Sequence, residues 1–423
     1  MKILGIETSC DETAAAVVED GRRLLSNVVA SSLDLHIPFG GVVPEIAARS
    51  HIESILPVID TALQNAFRNK KQETSKKLVS SSKFLVSQFD PWDQIDAISV
   101  TQGPGLLGSL LVGVLTARTL AIAKKKPLYA VNHVEAHVYA AFLEENRPQF
   151  PLLALIVSGG HTQLVLFKDH FDYKVLGQTT DDAVGEAFDK VAKILGLPYP
   201  GGPSISEAAR KGDPNAFKFP IARLNKARIV SRLSAAQGSS EERASRTNST
   251  VSERLSVTDT AMRQESPVQP AALAGRVAAR GDYDFSFSGL KTAVLRTAQA
   301  QTGNDYDFPS TKLPDALKEA QKADIAASFQ KTAVETLIHH LIKAEEEFNP
   351  KSIVVAGGVA ANRLLRTETK KHLKTKVIYP DIKLCTDNAA MIAALGFYQA
   401  SNKRPEVDPY SLEPDPGLKM LDH

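Results

Sequence analysis

The sequence predicts a duplicated α/β protein of two lobes. Three observations carry this reading. The order strand hairpin, strand–glycine–helix, strand–helix occurs twice along the chain. Glycine-rich turns follow strands at corresponding places in the two halves. The chain has 423 residues, enough for two large cores.

The first half, residues 1–150, opens with the apolar run Ile3 to Ile6 and a turn-like stretch from Glu7 to Thr13. A second apolar run, Ala14 to Val18, follows. Asp20-Gly21 then signals a hairpin before Leu24-Leu25 and Val28-Val29. Ala97 to Val100 runs into the turn Gly103 to Gly108 and a helix over Ser109–Ala123. The second half, residues 151–423, repeats the plan. It has a strand over Leu152–Val157, the turn Ser158 to His161, and strands over Gln163–Phe167 and Tyr173–Leu176. Much later, Ser352 to Ala356 runs into Gly357 to Asn362 and a helix over Arg363–Leu373. Between Thr179 and Asn349 lies an added helical region. Its first helix, Asp181–Leu197, carries the apolar stripe Val184, Phe188, Val191 and Leu195.

Composition is that of a globular protein, with 43% hydrophobic and 23% charged residues. A net charge of +2 does not by itself announce a nucleic-acid binder. Only Cys10 and Cys385 occur, so no disulfide framework is expected and a reducing compartment fits better. The strand pattern begins at Lys2, so neither a signal nor a transit peptide is expected. The apolar runs are short of a membrane span, which makes the cytoplasm the expected location, with no membrane partner. Two segments read as solvated insertions. Residues 68–92 carry Lys70, Lys71, Lys76, Lys77 and Lys83. Residues 223–280 hold ten Arg or Lys, five Asp or Glu and no aromatic residue. A sharper reading makes them basic arms touching RNA phosphates.

The chemistry concentrates where the first half ends. After the run to Val131, His133 and His137 stand at i and i+4, so a helix starting there places both imidazoles on one face. Two half-exposed histidines are the commoner outcome of this spacing. A metal site needs a further ligand, and Asp387 offers one after the corresponding run Val377 to Pro380 of the second half. A metal held by both halves would sit in the cleft between them. Glu135 points about 200° around the helix from His133, which disfavours a zincin-type protease. The glycine turns place backbone N–H groups at strand ends and so favour a nucleotide in the same cleft. Asp189 is either a ribose ligand or the i,i+4 partner of Lys193. Phe285 to Thr292 is a basic, hydroxyl-rich contact or simply a strand and a helix cap. Asp11 and Glu12 are candidate acids and bases, or capping carboxylates.

These stretches together resemble one family. They are Leu4 to Thr13, Gly40-Gly41-Val42-Val43-Pro44-Glu45, Gly103 to Gly105, the His133–His137 pair, Val157 to Thr162, Gly185 to Lys190, Phe285 to Thr292, Gly357 to Asn362 and Cys385 to Asn388. They resemble the TsaD family of tRNA N6-adenosine threonylcarbamoyltransferases, in its bacterial and mitochondrial branch, over nearly the whole chain outside the insertions. The resemblance implies the actin/Hsp70/sugar-kinase-like (ASKHA) fold. It implies transfer of a threonylcarbamoyl group from threonylcarbamoyl-AMP to N6 of adenosine 37 in tRNAs reading ANN codons. It puts the AMP part against Ile156, Val157, Ser158, Gly159, Gly160, Asp189, Gly202 and Asn362, with ATP able to use the same cleft. It puts one divalent metal, iron or else zinc, on His133, His137 and Asp387. It implies as partners the tRNA anticodon loop and either a TsaB-type paralogue with a TsaE-type ATPase, or a second copy of the chain. Ser206 departs from the family, where many members have Asp, so one ribose or metal-side contact is expected to be missing or bridged by water. The competing readings are a kinase or ATPase on the same fold, a metallopeptidase, and a non-catalytic nucleotide-binding scaffold.

Overall fold

The computed structural model describes residues 1–77, 89–221, 282–303 and 305–420, without the side chains of 69–77. The expected insertion over 223–280 lies outside the described residues. That over 68–92 is corrected in part: the backbone of the helix Pro44–Lys77 continues through its first residues instead of looping. Lys, Gln and Glu dominate there, and these are good helix formers. The helix breaks locally at Phe67 (φ −121°, ψ 16°), whose ring is buried against Phe89.

The first sheet contains β1 (Lys2–Glu7), β2 (Glu12–Glu19), β3 (Arg23–Ser31), β4 (Ala97–Gly103) and β5 (Leu128–Asn132). The second contains β6 (Leu152–Val157), β7 (Thr162–Asp169), β8 (Asp172–Gln178), β9 (Ser352–Ala356) and β10 (Val377–Ile378). Their orders are β3-β2-β1-β4-β5 and β8-β7-β6-β9-β10, one plan used twice. In each, an antiparallel meander of three strands is extended by two parallel strands reached through helical crossovers. The hairpin expected at Asp20-Gly21 is present between β2 and β3, with both residues at positive φ (53° and 61°).

Strand alternation sets the packing. Leu4, Ile6, Ala15 and Val17 face the helices Pro44–Lys77 and Leu107–Lys124. Ile3, Ala14, Ala16 and Val18 face the helix Ala389–Ser401. Thus a helix from the second half covers the first sheet. Gly5 makes that approach possible: a Cβ there would lie 2.3 Å from the Ala389 carbonyl oxygen and 2.6 Å from the Ala393 nitrogen. Conversely, the helix His133–Tyr139 from the first half is buried at every residue and packs against β6 and β9. The two exchanged helices share one core with both sheets.

The added region holds the helices Val184–Leu195, Gly201–Ala209, Ser288–Gln301 and Glu319–Phe348. The stripe Val184, Phe188, Val191 and Leu195 is buried as expected. Phe285 to Thr292 forms an isolated bridge and the start of the helix Ser288–Gln301. Phe285 bridges to Thr179, and Asp181 accepts hydrogen bonds from the Ser286 and Ser288 hydroxyls and from the Phe287 N–H. Among the described helices, Leu107–Lys124 is long and apolar enough to cross a membrane, and 33% of it is buried.

Candidate functional site

The exchange of helices brings the expected metal ligands together. His133 and His137 sit on the first helix, and Asp387 immediately precedes the second. Two side chains build these ends. Asn132 caps the His133 helix by accepting from the N–H groups of Val134 and Glu135. Asn388, fully buried, caps the other helix and donates to the Leu384 and Thr386 carbonyls, which fixes the turn carrying Asp387.

Nε2 of His133 lies 3.5 Å, and Nε2 of His137 3.6 Å, from Oδ1 of Asp387. All three ligand atoms fall within 4.8 Å of one another. Two ligands about 2.1 Å from one ion at a tetrahedral angle are about 3.4 Å apart, so the spacing suits a shared ion. His137 is 1% exposed, yet neither of its ring nitrogens has a hydrogen-bond partner. An orphaned buried imidazole is costly unless a ligand satisfies it. Two imidazoles and one carboxylate form a borderline donor set, fit for zinc or ferrous iron, with positions left open.

A side chain outside the expected set completes this centre. Glu7 has no exposure and accepts from the Ser9 N–H, the Thr101 hydroxyl and Nδ1 of His133, the last at 3.1 Å. The Ser9 hydroxyl also lies 3.1 Å from that nitrogen. The contact holds a proton on Nδ1, so Nε2 is the nitrogen that would meet a metal ion. Burial disfavours a charged Glu7, but His133 and the hydroxyl donors outweigh it and hold its carboxyl below the usual range. Burial likewise pulls His133 down, while Asp387 and Glu7 lift it above the usual imidazole range. Burial together with the His133 charge keeps His137 neutral.

Asp11 ends the turn after β1 and Glu12 is the first residue of β2, both partly buried. The charge of Asp11 acts on both Asp387 and Asp189, so this loop stands near both halves of the site. The Glu12 carboxylate accepts from the Ser31 hydroxyl at 2.8 Å, and its other oxygen is buried without a partner. Burial first, then Asp11 and Asp387, push Glu12 up to about 7 against the pull of Ser31.

The family comparison is decisive. The TsaD family model, described as tRNA N6-adenosine threonylcarbamoyltransferase, matches residues 23–76, 75–282 and 256–394. The chain belongs to this family. A relative from Symbiobacterium thermophilum with that name is 44% identical over 399 residues, covering 94% of this chain and 91% of its own. Another so named, from Thermomicrobium roseum, is 42% identical over 413 residues, covering 95% and 92%. Among solved structures, full-length HypF in its phosphate- and nucleotide-bound form is similar over 95% of this chain and 46% of its own, with a TM-score of 0.48 and 10% identity. The two sheets of identical order are those of the actin/Hsp70/sugar-kinase-like fold expected for TsaD.

The residues that the TsaD resemblance assigns to AMP separate into groups. Gly159, Gly160 and Gly202 line open space, and a Cβ on any of them meets nothing within 4 Å. Ser158 closes the turn on itself: its N–H donates to the His161 carbonyl and its hydroxyl accepts from the His161 N–H. Its amide is therefore spent within the turn. Ile156 and Val157 are wholly buried in β6 and present no side chain to a ligand. Asp189 does not pair with Lys193. One of its oxygens accepts from the Gly201 N–H at 2.7 Å, holding the start of the next helix. Asn362 caps the helix Arg363–His372, and its amide nitrogen donates to Gln330 and Ser206. Ser206 itself donates to Gln330 at 2.8 Å, so the departure from Asp is absorbed by a neutral hydrogen-bonded trio. Glu7, Thr101 and Gln330 escaped the sequence reading, because nothing in their local pattern marks a buried polar partner.

Proposed function

We propose that this chain transfers the threonylcarbamoyl group of threonylcarbamoyl-AMP to N6 of adenosine 37 in tRNAs reading ANN codons, releasing AMP. The observation that carries the reading is the His133, His137 and Asp387 cluster, built from both halves beside open glycine turns. Adenine N6 is a weak nucleophile, since its lone pair is delocalised into the ring. The acyl group must therefore arrive activated, as the mixed anhydride with AMP. N6 attacks the carbamoyl carbon, the bond from that carbon to the phosphate oxygen breaks, and AMP leaves with the electron pair. The N6 proton passes to Glu12 or Asp11. Glu12 fits better, because a base poised near neutrality is both available and strong enough. The Gly159 and Gly160 amides are free to face the oxyanion. A divalent ion on the cluster, iron or else zinc, would supply Lewis acidity and orient the anionic substrate.

The family, the cluster's two imidazoles and the Glu135 register all disfavour a kinase or a metallopeptidase. Glu135 is buried on the helix away from the ligands, with one oxygen unpartnered. For partners we propose the anticodon loop of tRNA together with a TsaB-type paralogue and a TsaE-type ATPase, or a second copy of the chain. The helix Leu107–Lys124 supports an association, since Leu107, Leu111 and Leu115 form an exposed apolar row. A cytoplasmic location suits these partners.

The test is to incubate unmodified ANN-reading tRNA with the protein, threonine, bicarbonate, ATP and a threonylcarbamoyl-AMP synthase, then measure nucleosides by mass spectrometry. Threonylcarbamoyladenosine is expected from the protein alone or once the partner proteins are added. No product under either condition would sink the reading.

A further inference from the structure

The segment Ser32 to His51 contains the Gly40 to Glu45 motif, to which the reaction as described gives no role. Two histidines of this segment, His36 and His51, are completely buried. Both are turned on the loop that carries Asp11 and leads into Glu12, the first residue of β2. Nε2 of His51 donates to the Cys10 carbonyl at 3.0 Å, and its Nδ1 takes the Thr13 hydroxyl at 2.8 Å. The Ser109 hydroxyl donates to the same Cys10 carbonyl at 3.0 Å. One residue on, the Asp11 carbonyl accepts from the Ser32 hydroxyl at 2.8 Å and from the Ser32 N–H at 3.2 Å. Nε2 of His36 lies 3.1 Å from that hydroxyl, and its Nδ1 accepts from the Val43 N–H at 3.2 Å.

These bonds fix the hydrogens. A carbonyl only accepts, so His51 carries a proton on Nε2, and in the neutral ring that burial favours its Nδ1 receives the Thr13 hydroxyl. The Val43 N–H only donates, so Nδ1 of His36 is bare and its Nε2–H feeds Ser32, whose own hydrogen goes to Asp11. His36 thus keeps a bare Nδ1, and burial favours the neutral ring of His51. Each ring joins a different element to one loop: His51 from the helix Pro44–Lys77, His36 from the turn that Val43 closes.

We propose that His36 and His51 are positioning residues for the acid–base loop: acting as neutral hydrogen-bond relays, they pin the Cys10 and Asp11 carbonyls and so fix where the Asp11 and Glu12 carboxylates stand. This rests on the acid–base reading of Asp11 and Glu12 given above. Neither histidine touches substrate, and the chemistry of the imidazole is not required, only a donor at the position of Nε2.

The experiment uses the full chain with its partner proteins and measures threonylcarbamoyladenosine formation, bound metal and AMP affinity. His51→Ala is expected to lower kcat about 10- to 100-fold, since small misplacement of a reacting group costs that much. KM for tRNA, bound metal and AMP affinity stay at wild-type values. His51→Gln, which keeps a donor for Cys10, returns kcat to within about threefold of wild type. His36→Ala gives the same pattern, independently. On an Asp11→Ala, Glu12→Gln background the His51→Ala effect disappears, because the groups it positions are gone. Wild-type kcat in His51→Ala, a His51→Gln variant as slow as His51→Ala, or an undiminished effect on that background would each overturn the proposal. Wild-type turnover in the Asp11→Ala, Glu12→Gln protein itself would instead sink the acid–base reading, a result distinct from any His51 outcome.

Discussion

Nδ1 of His133 lies 3.1 Å from the Glu7 carboxylate, so the end of the first strand orients an imidazole on a helix far along the chain. Glu7 is fully buried and also receives Thr101 from β4 and Ser9 from its own loop. A buried carboxylate with three donors is rigid, and it holds the imidazole in one tautomer. Glu7→Gln keeps the shape but removes the charge that sets this tautomer. Metal affinity is expected to fall about 10- to 100-fold, measured by competition with a chelator of known affinity. An unchanged affinity would remove Glu7 from the centre.

His137 gives a prediction of opposite sign in two conditions. Its two ring nitrogens are buried without partners. In metal-free protein they carry a desolvation cost, so His137→Leu is expected to stabilise the fold by about 1–3 kcal/mol. With zinc at about 1,000 times its Kd, the wild-type protein gains about 4.1 kcal/mol that the variant cannot. Thermal unfolding with chelator and with zinc should therefore rank the two proteins in reverse order. The same ranking in both conditions would show that no ion binds at His137.

How much of this was legible in the sequence follows from which interactions leave a local pattern. The sheets were readable, because Ile3 to Ile6, Ala14 to Val18 and Leu152 to Val157 are apolar runs bounded by turn residues. The His133, His137 and Asp387 cluster was readable because His133 and His137 share a helix face and Asp387 occupies the matching place in the other half. Glu7 was not, because its partners Thr101 and His133 are distant in sequence and only the β1–β4 pairing joins them. The same holds for Asn362, whose links to Ser206 and Gln330 depend on how the helix Glu319–Phe348 packs. The length of the helix Pro44–Lys77 was missed for another reason: a row of lysines reads equally well as solvated loop and as solvated helix.

Glu12 sets the expected pH dependence. Its pKa is pushed to about 7, chiefly by burial. If it accepts the N6 proton, kcat should rise with pH through about 7 and level off above it, and Glu12→Gln should abolish that limb. Stability moves the other way. A carboxyl whose folded pKa lies above its usual value favours folding while protonated, and that advantage is lost as pH rises through about 7. Glu12→Gln should therefore stabilise the fold at pH 8 by roughly 1–2 kcal/mol, after allowance for solvent screening of a partly exposed group, and by little at pH 5. A pH-rate limb that survives in the variant would transfer the role to Asp11.

Two glycines separate a loop effect from a ligand effect. Gly185 opens the helix Val184–Leu195, and a Cβ there would lie 2.5 Å from the Ser158 carbonyl oxygen and 2.8 Å from Cα of Gly159. Alanine is the better helix former by about 1 kcal/mol, but both opposing atoms are backbone, so the turn itself must move. Gly185→Ala is expected to destabilise the fold by about 1–2 kcal/mol net and to weaken AMP binding about tenfold, with metal affinity unchanged. At Gly202 a Cβ meets no protein atom within 4 Å, so Gly202→Ala has no steric cost in the free protein. Any loss of AMP affinity in Gly202→Ala, at unchanged melting temperature, then reports the nucleotide itself filling that space. Calorimetric titration of AMP into both variants checks this. Wild-type affinity in both would place the nucleotide elsewhere than against the Ser158 turn and Gly202.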